Sequence, residues 1–268
     1  MANSPPTNLS SATQPVYNPE LCCTDSITIP SAILSSIYSH VQIDSVARYF
    51  GGNRYLPDPE TRKRIGRCIR EASQLVSPRA TYTLFPISRV LPKGEVYLEN
   101  GQSIHFPECF CDSGARSVAA IIGSLGEVLE NRCRELAGSG KIYESTMLDA
   151  VGTTLLDLLS EKICDTVEGA GMRDGLIKGQ RFAPGIDGYP LEQQHHLFKL
   201  ADNASIGVEL NSSAIMAPAK SISFFMVLTT TPGQNSVLNK CNVCRLANCQ
   251  YRKGGRIKFT TNSKISIK

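Results

Sequence analysis

The sequence predicts an α+β fold, a twisted and largely antiparallel sheet with helices. Strand-like and helical runs come in mixed order, without the strict alternation of a doubly wound parallel sheet. Asn100-Gly101 sits between two strand-like runs, the signature of a hairpin. The stretch 143–171 carries an apolar stripe at helical period, long enough to cover a sheet.

The elements follow in order. Residues 1–25 are rich in Ser, Pro, Asn and Thr and read as a polar arm outside the fold. Residues 44–52 read as a short helix, with Asp44 as cap and Gly51-Gly52 as stop. In 58–76, Asp58 can cap, Pro59 suits the first helical position, and Ile65, Cys68, Ile69, Ala72 and Val76 share a face. That pattern makes Cys68 core. Residues 79–90 and 95–106 read as strands, joined through a two-residue turn at Asn100-Gly101.

Residues 116–126 look like a buried strand, and 127–137 a helix with Val128, Leu129, Cys133 and Leu136 inward. In the long helix, Leu148, Val151, Leu155, Leu159 and Ile163 make the stripe. Asp149, Asp157, Glu161 and Asp165 line another face, which reads as wetted surface. Segments 205–211 and 220–231 read as strands flanking a proline loop. The compact domain is expected over 26–235, with a cysteine-rich segment and basic tail over 236–268.

Composition narrows the function. Of 268 residues, 41% are hydrophobic and 19% charged, with a net charge of +4 and no tryptophan. No basic-aromatic stripe marks a nucleic-acid binder, and no apolar run approaches the ~20 residues that span a bilayer. The first residues lack a secretory pattern. Ten cysteines without such a pattern point to reduced thiols in the cytoplasm.

Most nucleotide and hydrolase motifs fail on their own terms. The segment 137–141, AGSGK, ends like a Walker loop but has Glu135 where the first glycine belongs and Ile142 after the lysine. No Gly-x-Ser-x-Gly or HExxH occurs. His195-His196 are adjacent and point to different faces of a helix.

Two stretches carry chemistry. Cys241, Cys244 and Cys249 are spaced C-x2-C-x4-C, which suits zinc and an iron–sulfur cluster equally well; a fourth ligand could come from Cys109, Cys111, Cys22 or Cys23. The stretch GQRFAPGIDGYPLEQQHHLF, 179–198, sets Arg181 beside two Pro/Gly turns and then a helix over 190–198. A guanidinium forks a carboxylate or phosphate, and the glycines let the main chain approach a ligand.

RFAPGIDGYPLEQQHHLFKL, followed by IGVELNSSAIMAPAKSISFFMVL, resembles the activation domain of vitamin B12-dependent methionine synthase. Arg181, Pro184, Gly185, Met216 and Pro218 stand in that family's order. The segment from Val46 to Glu161 resembles free-standing members, which often end in a similar cysteine segment. The resemblance implies an α+β fold that binds S-adenosylmethionine. It implies cobalamin on a partner, a corrinoid-binding protein or methyltransferase, and an electron donor protein. On the matching residues, Arg181 would pair with the methionine carboxylate, the Ala183-Pro184-Gly185 backbone would approach the ligand, and Asp157 would face its positive charge. The tyrosine of the family motif is Ile186 here, with Tyr189 three residues on as its substitute; a second family acid falls on Gly175. The resemblance thus leaves a docking module without S-adenosylmethionine as the alternative.

Overall fold

The computed structural model describes residues 25–107, 114–186, 188–231, 246 and 248–252. The chain runs through β1 (Ile27–Thr28), α1 (Ser31–Leu34), α2 (Ile43–Gly51) and α3 (Pro59–Leu75) to the long strand β2 (Arg79–Val90). The hairpin β3 (Glu95–Leu98) and β4 (Ser103–His105) leads to β5 (Ala115–Ser124), then α4 (Val128–Gly138) and α5 (Ile142–Gly171). After β6 (Ile177–Phe182) and α6 (Gln193–Leu200) come the short pair β7 (Glu209–Leu210) and β8 (Met216–Ala217), and finally β9 (Ser221–Thr229).

Seven strands form one sheet in the order β4-β3-β2-β5-β9-β6, with β1 also beside β2. Every described pairing is antiparallel. Side-chain alternation divides the core in two. From β9, Phe224, Met226 and Leu228 enter a cluster shared with α3, α4 and α5, while Phe225 and Val227 enter a second cluster shared with α6 and the β3–β4 hairpin. β5 and β9 are covered on both faces, so 118–122 and 224–228 are unbroken apolar runs.

Local chemistry explains the helices. Asp58 accepts from the Glu60 and Thr61 amides at 2.9 and 3.0 Å and caps α3, ahead of Pro59. Cys68 and Cys133 are buried, and burial, the largest cause, pushes both thiols up, Cys133 to about 11. All five expected stripe residues of α5 are buried. At Gly152 a Cβ would lie 2.9 Å from Leu129 Cδ2, so α4 and α5 approach too closely there for a larger residue.

Several expectations are corrected. Gln42, not Asp44, precedes α2; Asp44 lies in the first turn and pairs with Arg62 at 2.7 Å. Val128 is 51% exposed because it is the first residue of α4, ahead of the turn that packs. Only Gly101 takes positive φ at the hairpin (84°), and the Leu98 amide donates to Gln102 O at 2.8 Å, so the loop has three residues rather than two. The strand expected over 205–211 shrinks to Glu209–Leu210, because a tight turn at Ala204–Ile206 and left-handed Gly207 occupy its start. β6 precedes the two expected turns, in a stretch to which the sequence pattern assigned no element. No helix among the described residues is long and apolar enough to cross a membrane.

Candidate functional site

Edge strand β6 presents the arginine. It pairs with β9 through Arg181↔Met226 and Phe182↔Phe225. Alternation sends Phe182 into the second cluster and leaves Arg181 on the α5 side. There Arg181 Nη1 donates to Ser160 Oγ and to Cys164 Sγ, each at 3.2 Å, and Nη2 meets Glu161 Oε1 at 3.0 Å. The guanidinium carbon lies 5.9 Å from the centre of the Phe224 ring. Burial opposes the charge of Arg181, Cys164 and Glu161 support it, and the net direction is upward.

The acidic face of α5 is exposed at Asp149, Glu161 and Asp165, as expected, and its carboxylates are also paired. Asp149 pairs with Lys220 at 2.9 Å, Glu161 with Arg181, and Asp165 with Lys178 at 2.6 Å. Asp157 accepts a short hydrogen bond from the Tyr49 hydroxyl of α2. The four carboxylates thus tie the long helix to α2, to β6 and to the start of β9, each through a partner distant in sequence. Burial first, then the hydrogen bond and charge of Asp157, pushes the Tyr49 phenol up.

Arg48 lies 4.9 Å over the Tyr49 ring, and the Tyr251 ring lies 5.5 Å from it. The Asn53 amide donates to Gln250 O at 2.7 Å. The segment around Cys249 is thereby set against the end of α2, on the side that carries Tyr49 and Asp157.

Of the residues named from the sequence, Arg181 and Asp157 come to one side of the molecule. Glu161 bridges them, bonded to Arg181 and one helical turn from Asp157. Ala183 packs against the same cluster and Pro184 is buried. Gly185 takes φ 83°, and its amide donates to Tyr189 O at 2.8 Å, closing the turn.

Tyr189 goes elsewhere. Its ring lies in the second cluster, 6.3 Å from Phe106 and 6.5 Å from Phe182, on the sheet face away from the guanidinium. Its buried hydroxyl has no partner among the described residues. Gly175, where the family acid would fall, has left-handed φ of 69° at the turn into β6, a conformation that favours glycine. His195 is exposed and His196 half-buried.

Cys241 and Cys244 lie outside the described residues, as do Cys22, Cys23, Cys109 and Cys111. Cys249 is partly exposed. Among the described residues, no group of three His, Cys, Asp or Glu side chains could hold a metal ion. Tyr49, Ser160 and Cys164 were missed from the sequence. Asp157, Ser160, Glu161 and Cys164 do fall at i, i+3, i+4 and i+7, a polar stripe beside the apolar one, and that spacing was the available signal.

No protein-family profile and no curated protein matches the chain. Among solved structures, a crystal structure of the MetH reactivation domain bound to AdoHcy superposes on it with a TM-score of 0.59 at 14% identity. The match spans 78% of this chain and 80% of that one. The fold is that of the reactivation domain. In this reactivation-domain fold, Arg181 stands on the edge strand and Asp157 on the long helix that covers the sheet.

Proposed function

We propose that this protein binds S-adenosylmethionine at the β6–α5 seam and serves the reductive methylation of a corrinoid held by a partner protein. The observation that carries the reading is the reactivation-domain fold, shared with a structure that holds AdoHcy. AdoHcy is what S-adenosylmethionine becomes on losing its methyl group.

The residues at the seam fit such a ligand. It carries a carboxylate, an ammonium and a sulfonium, and the seam offers a guanidinium with carboxylates beside it. Arg181 would fork the carboxylate, in place of its contact with half-exposed Glu161. Asp157, one turn away, would face the positive end. Gly185 at positive φ keeps the turn after β6 tight beside the seam. Ligand and corrinoid supply electrophile and nucleophile between them, so the chain's part is orientation and exclusion of water. No acid, base or covalent nucleophile is required of it.

The test combines the protein, S-adenosylmethionine, a one-electron reductant and a cob(II)alamin-loaded methyltransferase, and follows methylcobalamin by its absorbance. The reading expects formation that depends on the protein and is lost in Arg181→Ala. Equal formation without the protein contradicts it.

A second reading rests on two placements. Arg181 already has three partners, and Tyr189 lies in the core. A docking module that keeps the fold without the ligand accounts for both, with Cys241, Cys244 and Cys249 holding a structural zinc or an iron–sulfur cluster. Anaerobic purification separates the two metals, because a cluster absorbs broadly near ~400 nm and zinc does not.

A further inference from the structure

We propose that the cavity between α3, α4 and the start of α5 binds the phosphate group of a small anionic molecule. The cavity has a volume of about 450 Å³, within the range of small-molecule sites. Arg64 and Arg67 from α3, Arg132 from α4 and Lys141 before α5 line it, against Glu71 and Glu144. The wall carries four cations and two carboxylates, and Glu60 and Glu135 reach its arginines from beyond it.

The pairing inside the wall sharpens this. Arg132 is held by Glu71 at 2.9 Å and by Glu135 at 3.2 Å, so its charge is already answered and its position fixed. Arg64 and Arg67 share the single carboxylate of Glu60 at 3.5 and 3.7 Å, longer than good charge-assisted hydrogen bonds. Lys141 makes no ion pair among the described residues. Arg64 and Arg67 from α3 and Lys141 from the turn before α5 therefore line one concavity, three cations against Glu60, shared between the arginines, and Glu144. Phosphate, with several oxygens and more than one negative charge, suits such a set, and arginine forks it through two parallel N–H groups.

Lys141 belongs to the AGSGK segment that fails as a Walker loop. Its amide donates to Leu136 O at 2.9 Å, and Gly140 takes φ 78°, so the glycines end α4 instead of wrapping a phosphate. What the segment delivers is the lysine in the cavity wall. The cavity is distinct from the Arg181 seam: Met147 in its wall and Ser160 at the seam are separated by about 20 Å of α5.

Calorimetry with pyrophosphate at low ionic strength tests the proposal on the full chain. Arg67→Gln with Lys141→Gln removes two of the cations at exposed positions; Arg173→Gln with Lys199→Gln removes the same charge from exposed positions elsewhere. The expected result is saturable one-site binding to the wild type, weakened at least about tenfold in the cavity variant and within about twofold in the control. No saturable binding to the wild type, or equal weakening in both variants, overturns the proposal.

Discussion

Arg181 and Glu161 meet at 3.0 Å across the seam between edge strand and long helix, with Glu161 55% exposed and Arg181 22% exposed. The guanidinium is fixed, and the carboxylate that holds it faces solvent. Such an arrangement presents a positive charge in set position while leaving its partner room to be displaced.

Glu161→Gln is expected to tighten S-adenosylmethionine binding, because the ligand carboxylate no longer competes with a side-chain carboxylate. An exposed ion pair is worth at most about 1 kcal/mol, so the gain is up to about fivefold. Calorimetric titration of the variant against the wild type reads it. Weaker binding in Glu161→Gln would show that the carboxylate itself holds the ligand.

Tyr189→Phe separates the sequence reading from the structural one. A ligand-contacting tyrosine predicts a loss of affinity on removal of its hydroxyl. The structure buries that hydroxyl without a partner among the described residues, so its removal should leave affinity unchanged and raise stability by about 1 kcal/mol. Thermal denaturation and a ligand titration on the same sample check both.

What could be read from the sequence depended on whether burial or pairing decided the outcome. The α3 cap at Asp58, the α5 stripe and the unbroken apolar runs of β5 and β9 are one-dimensional patterns, and they stand as expected. The acidic line was legible as exposed surface but its pairing was not, because its partners Lys220, Tyr49, Arg181 and Lys178 come from distant segments and periodicity carries no record of them. β6, the strand that positions Arg181, was missed because IKGQRF holds only two large apolar residues and sits at a sheet edge, where one side needs no partner strand. Tyr189 was assigned for standing three residues after Ile186, in the turn that begins at Gly185. The turn that closes between Gly185 and Tyr189 carries the ring to the other face.

Alkaline stability reports on Tyr49. Its pKa is raised by burial first and then by Asp157, and Tyr38 and Tyr189 are raised by burial. An unfolded tyrosine titrates near about 10. The unfolded chain therefore releases these protons first, so the stability they contribute is complete below about pH 10 and declines as pH rises above it. Denaturation midpoints measured from pH 8 to 11 should fall in the wild type, and more gently in Tyr49→Phe. The variant should also be less stable at neutral pH by about 1–3 kcal/mol, because Asp157 loses a donor.

The most direct test of the central claim is a calorimetric titration of the purified protein with S-adenosylmethionine, with Arg181→Ala alongside and its folding confirmed by thermal denaturation. The account predicts saturable one-site binding by the wild type, weakened at least about tenfold in the folded variant. No binding by the wild type, or equal binding by both, would contradict it.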